Sequence, residues 1–503
     1  MNGAFEELRR RLGEVWDLRL TAWLLEWDQE VMMPRGGAGV RAEQLATLER
    51  VTHERATAAE VGRLLDRLRP YEEKLDPSSF EASLVRVARR DWEKARRVPT
   101  DLQAEMARAS VEGFEVWLAA RQESDYSRFR PALERNLELR RRYVECFDDY
   151  DDPYDVLLDD FEPEMRTAEA DTVLTRLREA LVPLVAEIAD SPQVDDSFLG
   201  GPFPIAGQKR VEHELLRRLG FDESSWRLDE IVHPAAYSFG TADIRITTRY
   251  SETSLETLFS GMHEFGHGLY EHQIDPALGR SPLATGVSLG IHESQSRLWE
   301  NLVGRGLPFW RGFYPVLAEA FPEALGGVDL QTFHRAVNRV ERSLIRVDAD
   351  EVTYNLHIVL RFELERELLA ETLSLGDLPE AWNARMAEYL RVEVPDDAHG
   401  VLQDVHWSGG GIGYFPTYSL GNVISVQLWE RLREAIPDLD DQIEHGELAA
   451  LREWLREHVH RYGRMFTPRE TLERAVGAPI DPEPYLRYLR AKAAALYGVP
   501  VEA

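Results

Sequence analysis

Apolar residues recur at steps of three and four positions along the first part of the chain, from Phe5 to Trp27. This spacing places them on one face of an α-helix, whereas a half-buried strand would need strict alternation. The same spacing returns in later segments, which comprise residues 81–146, 168–190, 313–346, 352–374 and 423–462. The chain is therefore predicted to be mainly α-helical.

The breaks between these helical segments are short, and we find neither an internal repeat nor a compositionally biased linker. This organisation favours one unit with two lobes over a string of separate domains. We expect a single domain over residues 1–503. Within it we expect a helical N-terminal lobe at about 1–190, a core that carries the chemistry at about 230–425, and C-terminal helices at about 423–503.

One segment departs from the helical pattern. In ADIRITTRY, residues 242–250, Ile244 and Ile246 alternate with Arg245 and Thr247. Alternation and β-branched residues predict a β-strand. The strand could brace the helix that follows it, or it could pair with an extended peptide, as an exposed sheet edge can.

The charge and composition exclude several partners. The chain carries 89 acidic and 59 basic residues, and its formal net charge of −30 repels nucleic-acid phosphates. We find no apolar run long enough to span a membrane, and the charged N-terminus lacks the apolar core of a secretory signal. We expect a cytoplasmic protein that binds neither nucleic acid nor membrane. The single cysteine excludes a cysteine-rich zinc cage.

Two histidines flank a glutamate within an apolar run. The segment HEFGH, residues 263–267, matches the pattern H-E-x-x-H. On a helix, His263 and His267 project from the same face and can bind one metal ion. Glu264 then lies beside the open coordination position, where it can accept a proton from water.

A catalytic metal centre needs a third protein ligand as well as an open position. The helix-like segment IHESQSRLWENLVG offers Glu293 as that ligand, with Glu300 as the competing candidate. His292 could also bind the metal, or it could hydrogen-bond to a ligand. Gly266 and Gly268 would let another segment approach the histidine helix closely. Two histidines, a glutamate and an open position predict a hydrolytic zinc site.

Five motifs in order make the chain resemble the carboxypeptidase Taq-type zinc metallocarboxypeptidases. They are DIRIT (243–247), HEFGH (263–267), HESQSR (292–297), IRVDAD (345–350) and GVLQDVHW (400–407). WDQEVMMP and YDVLLDDFEPE are similar to family segments as well, so the resemblance covers nearly the whole chain. It implies a mainly α-helical, two-lobed fold with a deep groove, a small β-sheet beside the zinc helix, and a homodimer.

The resemblance also implies a function and a set of site residues. Family members release single amino acids from the C-terminus of peptides, with broad specificity except at proline. The metal ligands carried over to this chain are His263, His267 and Glu293. Glu264 would be the catalytic acid–base, Arg346 would receive the terminal carboxylate of the substrate, and His406 would stabilise the oxyanion. The implied metal is zinc, with cobalt as a substitute.

The residues agree with these roles but leave alternatives open. A planar guanidinium binds a carboxylate through two parallel hydrogen bonds, which suits Arg346. Arg245 is a second candidate, although an ion pair that supports the strand explains it equally well. Four glycines lie between Trp407 and Tyr414. A mobile loop of this kind could bring the hydroxyl of Tyr414 or Tyr418 onto the oxyanion, and the alternative is a glycine-rich turn with aromatic anchors.

The favoured mechanism is direct attack of water on the last peptide carbonyl. Glu264 accepts the proton of the water and passes it to the leaving amine. One rival is a zinc oligopeptidase or dipeptidyl carboxypeptidase on a related scaffold, which differs in where the arginine lies relative to the metal. Another is a non-catalytic peptide-binding protein with a structural metal, which Glu264 disfavours because structural zinc normally has four protein ligands. The predicted partners are peptides with a free C-terminus.

Overall fold

The computed structural model describes residues 2–500. The first ten α-helices are α1 (Asn2–Val31), α2 (Ala38–Ala56), α3 (Ala59–Glu72), α4 (Phe80–Arg97), α5 (Thr100–Glu123), α6 (Tyr126–Val144), α7 (Pro153–Leu158), α8 (Thr167–Ala189), α9 (Ile205–Leu219) and α10 (Glu256–His272). Three strands lie between α9 and α10, namely β1 (Trp226–Glu230), β2 (Ala236–Ser238) and β3 (Ile244–Thr248).

The second half of the chain continues with helices alone. They are α11 (Leu289–Arg297), α12 (Leu307–Ala320), α13 (Pro322–Leu325), α14 (Leu330–Val337), α15 (Tyr354–Leu369), α16 (Leu378–Leu390), α17 (Pro416–Ala435), α18 (Leu439–His445), α19 (Ala449–His458), α20 (Pro468–Val476) and α21 (Glu483–Tyr497). A π-helical segment, Leu298–Val303, extends α11. Within the described residues, none of the helices has the length and apolar character of a membrane span.

The helical periodicity predicted the elements well except near residue 340. The predicted helical segment 313–346 is wrong at its end, because α14 stops at Val337 and residues 338–345 are irregular. Side chains from beyond this segment bind the backbone there, one of them 157 residues away. Val340 N donates to the Tyr497 hydroxyl at 2.6 Å, and Glu341 N donates to Asp350 Oδ2 at 3.0 Å. Such contacts replace the intrahelical hydrogen bonds.

The predicted strand is β3, and it occupies the centre of the sheet. β1 pairs with β3 in parallel, with Trp226 opposite Ile244, and β2 pairs with β3 antiparallel, with Ala236 opposite Ile246. Both edges of β3 are therefore occupied, so the expectation that this strand could pair with an extended peptide is wrong. The alternative is correct, since a Cβ on Gly268 of α10 would lie 2.8 Å from Ile244 Cγ2.

Buried apolar side chains form two clusters in the described part of the chain. The larger extends from Val98 to Val499 and includes Phe265 of α10. The smaller joins α1, α3 and α4 to Ile274 and Leu283. These clusters do not by themselves define domains, and the division of residues 1–503 into an N-terminal lobe, a core and C-terminal helices stays a prediction.

Gly266 sets the distance between α10 and α11. A Cβ at this position would lie 2.6 Å from the Gln295 carbonyl oxygen and 2.6 Å from Ser296 Cα, both backbone atoms of α11. We expect Gly266→Ala to push the two helices apart and to lower the free energy of unfolding by about 1–3 kcal/mol. Denaturant unfolding measures this loss.

Gly39→Ala in α2 is the matched control, because nothing lies within 4 Å of a Cβ built there. Alanine at such a helical position should leave stability unchanged or raise it by up to about 1 kcal/mol. A Gly266→Ala variant that unfolds at the same denaturant concentration as Gly39→Ala would contradict the assigned packing.

Candidate active site

Three side chains from two helices converge at one point. His263 and His267 lie one turn apart on α10, and Glu293 lies on α11. Glu293 Oε2 is 3.7 Å from His263 Nε2 and 3.5 Å from His267 Nε2. Ligand atoms about 2.1 Å from a tetrahedral ion lie about 3.4 Å apart, so these three atoms fit one divalent ion.

A hydrogen bond orients His263 toward that point. Its Nδ1 lies 2.8 Å from Glu300 Oε2, which accepts the N–H and leaves the Nε2 lone pair facing Glu293. Arg297 NH1 donates to the same Glu300 oxygen at 3.1 Å. The geometry thus favours Glu293 over Glu300 as the third ligand and gives Glu300 the role of an orienting partner, as carboxylates beside metal-binding histidines commonly have.

His267 is oriented by a second chain of hydrogen bonds. Its Nδ1 lies 2.6 Å from His292 Nδ1, and His292 Nε2 lies 3.1 Å from Glu271 Oε1. Glu271 accepts the Nε2 proton of His292, so His292 Nδ1 is free to accept the Nδ1 proton of His267. The Nε2 lone pair of His267 then faces Glu293. Of the two roles open to His292, the structure places it behind His267 as a hydrogen-bond partner.

Arg297 holds the other oxygen of Glu293. Its Nε donates to Glu293 Oε1 at 2.7 Å, which leaves Oε2 for a metal ion. Burial raises the pKa of Glu293, but Arg297 and the two histidines outweigh burial and hold that pKa well below its usual range. We did not predict Arg297 from the sequence, although its position four residues after Glu293 on one helix was a usable signal.

Glu264 is buried next to His263 and keeps its carboxylate free. Within residues 2–500, no hydrogen bond or ion pair of another side chain reaches it, and its burial raises its pKa to about 7. A buried carboxylate normally has partners. Its freedom leaves both oxygens available to a bound water or substrate.

Arg346 lies in a second cluster and is only partly used by the protein. Its Nε and NH2 donate to Asp404 Oδ1 at 3.0 and 2.8 Å, and its NH1 donates to the Tyr354 hydroxyl at 2.9 Å. A guanidinium has five N–H donors, so two remain for a ligand carboxylate. Arg361 Nε donates to Asp404 Oδ2 at 2.7 Å and fixes the carboxylate that aims Arg346.

Tyr354 links this second cluster to the metal-binding residues. The Arg297 guanidinium carbon lies 4.6 Å from the centre of the Tyr354 ring, whose hydroxyl accepts from Arg346. Tyr354 therefore lies between Arg346, with its two unused N–H groups, and Arg297, which binds Glu293. Tyr354, Arg361 and Asp404 were missed by sequence reasoning, because their hydrogen bonds join positions 8, 43 and 58 residues apart, which match no helix or strand spacing.

His406 and the two candidate tyrosines lie together beside Arg346. His406 Nε2 is 3.3 Å from the Tyr418 hydroxyl, and the His406 and Tyr414 rings are 5.1 Å apart. Burial lowers the pKa of His406 to about 4, which keeps the ring neutral. The mobile loop expected to carry Tyr414 or Tyr418 does not reach Tyr418, which lies in α17. This helix begins at Pro416, and proline is favoured in the first turn of a helix.

Arg245 has its partners within the protein. Its Nε and NH2 donate to the two carboxylate oxygens of Asp243, both at 2.9 Å, and its guanidinium lies 4.2 Å from the Trp27 ring centre. The ion-pair alternative describes these contacts. A contact of Arg245 with substrate stays a prediction.

A cleft of about 620 Å³ opens between the N-terminal helices and the segment that leads into α11. Arg19 of α1 and Lys94 of α4 line one side of it, and Ser288 and His292 line the other. Because His292 contacts His267, the cleft reaches the wall of the metal site. None of the proposed metal ligands lines this cleft, so the expected deep groove over the metal site stays a prediction.

A mainly helical fold around two histidines, a glutamate and a partner-free carboxylate defines a metallopeptidase. The sequence profile of the carboxypeptidase Taq (M32) metallopeptidases matches residues 7–493. The chain therefore belongs to the carboxypeptidase Taq (M32) family. It is a metallocarboxypeptidase, a hydrolase of peptide bonds that uses a metal ion.

Known carboxypeptidases are similar to this protein over nearly the whole chain. Thermostable carboxypeptidase 1 of Thermus thermophilus is 42% identical over 486 residues, which cover 94% of this chain and 95% of that protein. Carboxypeptidase 1 of Bacillus subtilis is 37% identical over 476 residues, with 94% and 95% covered. The crystal structure of an M32 carboxypeptidase from Deinococcus radiodurans R1 matches with a TM-score of 0.95 at 41% identity, covering 99% of this chain and 100% of that one. The predicted family and fold class are confirmed.

Proposed function

We propose that this metallocarboxypeptidase binds zinc and releases one amino acid at a time from the free C-terminus of peptides. The observation that carries the proposal is the line of contacts from Glu293 through Arg297 and Tyr354 to Arg346. It supports a substrate carboxylate held close to the reacting bond. Release of dipeptides would need the arginine about 3.5 Å farther away, the length of one extended residue.

The proposed metal ligands are His263, His267 and Glu293, whose nitrogen and carboxylate atoms are the donor types that zinc prefers. When bound, the ion supplies Lewis acidity, which polarises a carbonyl and makes water more acidic. Cobalt suits the same donors and would substitute for zinc.

Side chains of the protein bind the substrate, transfer the proton and stabilise the oxyanion. Arg346 holds the terminal carboxylate with its two unused N–H groups, and this fixes the last peptide bond in place. Glu264 takes the proton of the attacking water and delivers it to the leaving amine. His406 and the Tyr418 or Tyr414 hydroxyl donate hydrogen bonds to the oxygen that gains negative charge.

The substrates we propose are unstructured peptides with a free C-terminus and almost any last residue, with slow release of proline, as the family resemblance implies. The dipeptidyl carboxypeptidase alternative lacks a supporting contact among the described residues. A cytoplasmic location and a homodimer stay predictions from the sequence.

Removal of the metal tests the proposal. Dialysis against a chelator should abolish amino-acid release, because Glu264 alone cannot activate water sufficiently, and one zinc ion per chain should restore it. Metal content is measured by mass spectrometry and products by liquid chromatography. Cobalt should restore activity, and magnesium should not, because it prefers oxygen ligands. Release of dipeptides by the reconstituted enzyme, or full activity without bound metal, would contradict the proposal.

A further inference from the structure

We propose that Glu365 is a positioning residue for the reaction, because it fixes the turn that follows His406. This inference rests on the proposed function, in which His406 stabilises the oxyanion. Glu365 lies on α15 and is fully buried. Its carboxylate accepts three hydrogen bonds, and two of them come from the segment directly after His406.

Glu365 binds both ends of a glycine-rich turn. We define the glycine turn as residues 407–413, which directly follow His406. The Trp407 indole Nε1 donates to Glu365 Oε1 at 2.8 Å, and the Gly413 backbone N donates to Glu365 Oε2 at 3.0 Å. The first and the last residue of the turn are therefore fixed to one side chain.

These two hydrogen bonds set where the His406 ring lies. Tyr414 directly follows the glycine turn, and its ring centre is 5.1 Å from that of His406. Gly413 has a φ of +91°, and a Cβ at this position would lie 2.7 Å from the Leu157 carbonyl carbon. Only glycine allows this conformation and close approach, which bring the Gly413 N–H to Glu365. Holding the ends of the turn together holds the His406 and Tyr414 rings together.

The two contacts with the glycine turn require a carboxylate. Both partners are N–H donors, so the side chain that joins them must accept hydrogen bonds on two atoms. Glutamine would offer one oxygen and would turn its own amide N–H toward the other donor. A buried charge is costly, and the Tyr154 hydroxyl offsets part of the cost by donating to Glu365 Oε2 at 2.7 Å. Packing alone would be served by a neutral residue.

The helix α15 holds the other side of His406 as well. Arg361 lies one turn before Glu365 on this helix, and its Nε donates to Asp404 Oδ2 at 2.7 Å. Opposite charges four residues apart on a helix commonly pair with each other. Here Arg361 instead binds the residue two positions before His406, whereas Glu365 binds the residue directly after it. Two side chains of one helix therefore fix the segment on both sides of His406.

Replacement of Glu365 by glutamine tests the proposal. We expect kcat for a peptide with a free C-terminus to fall by about 10–10²-fold, because His406 is assigned to a charge that develops only in the transition state. KM and metal content should stay at wild-type values. The ratio of kcat/KM between free and amidated peptides should also be unchanged, since Arg346 is held by Asp404. Steady-state kinetics of the zinc-loaded enzyme measures these quantities.

A second background separates positioning from a general loss of structure. In a His406→Ala enzyme, Glu365→Gln should change kcat by less than about threefold, because the group that Glu365 positions is gone. Tyr154→Phe is the matched control. It also removes a buried hydrogen bond from Glu365 and should lower the melting temperature. Because it leaves both contacts with the glycine turn, it should keep kcat within about twofold of the wild type.

Circular dichroism checks that each variant folds. If Glu365→Gln does not fold, Trp407→Phe removes the other partner of the same contact, and it should lower kcat in the wild-type background but not in the His406→Ala background. Wild-type kcat for the folded variant, together with a low kcat for His406→Ala, overturns this proposal and leaves the proposed function standing. An equal loss of kcat in both backgrounds also overturns it. Wild-type kcat for His406→Ala removes the oxyanion role of His406, and this proposal with it.

Discussion

Replacement of Glu264 by glutamine is expected to lower kcat by about 10³-fold or more while metal remains bound. Positioned acid–base groups contribute about 10²–10⁴-fold to catalysis, and Glu264 is assigned to both proton transfers. Glutamine has the same shape and cannot take a proton. Because no hydrogen bond or ion pair from the described side chains reaches Glu264, the change should leave the fold and the proposed ligands His263 and His267 undisturbed.

The measurement pairs single-turnover release of the last residue with metal content by mass spectrometry. Glu252→Gln is the matched control, because Glu252 is exposed and lies just before α10. It should retain wild-type kcat. If the variant loses rate but binds as much metal as the wild type, the loss comes from the missing proton acceptor and not from a damaged metal site. A Glu264→Gln enzyme with more than about a tenth of the wild-type rate would exclude Glu264 as the base.

Replacement of Arg346 by glutamine should remove the preference for a free C-terminus. A bidentate charge-assisted contact in a buried site is worth roughly 3 kcal/mol, or about 10²-fold in kcat/KM. The loss should fall on the peptide with a free carboxylate, whereas the amidated peptide, which makes no such contact, should change little. The ratio of the two kcat/KM values should therefore approach one.

Two further variants serve as controls for the Arg346→Gln result. Arg346→Lys keeps the charge but loses the planar pair of donors, so it should recover only part of the preference. Arg245→Gln should leave the ratio of the two peptides unchanged if the Asp243 ion pair is its whole role. Melting temperature and metal content control for damage to Asp404, which keeps its contact with Arg361. A ratio that falls with Arg245→Gln and persists with Arg346→Gln would exchange the roles of the two arginines.

Local patterns in the sequence were sufficient for much of the fold. Helical periodicity depends on residues three and four apart, so α1, α4–α6 and α8 were predictable from their own segments. Residues 338–345 were not, because Asp350, nine residues on, and the distant Tyr497 bind their backbone in place of helical partners. The position of β3 at the centre of the sheet was also hidden, since it depends on pairing with β1 and β2, and neither of these strands was predicted from the sequence.

In the candidate site too, some residues were predictable from local spacing and others were not. His263, Glu264 and His267 follow from one helical turn, and Gly266 pointed to a close second segment, which is α11. Arg297 was within reach of the same reasoning. Asp404 was not, because its bonds to Arg346 and Arg361 join positions 58 and 43 residues apart. Helix and strand periodicity cannot predict hydrogen bonds between residues so far apart in the sequence.

The central claim is that this enzyme recognises a free carboxylate and removes the residue that carries it. The most direct test is a mass-spectrometric time course on one unstructured peptide, prepared with a free and with an amidated C-terminus, in the presence of zinc. We expect a ladder of single-residue losses from the free peptide and about 10²-fold slower change in the amidated one. Internal cleavage of both peptides at equal rates would contradict it.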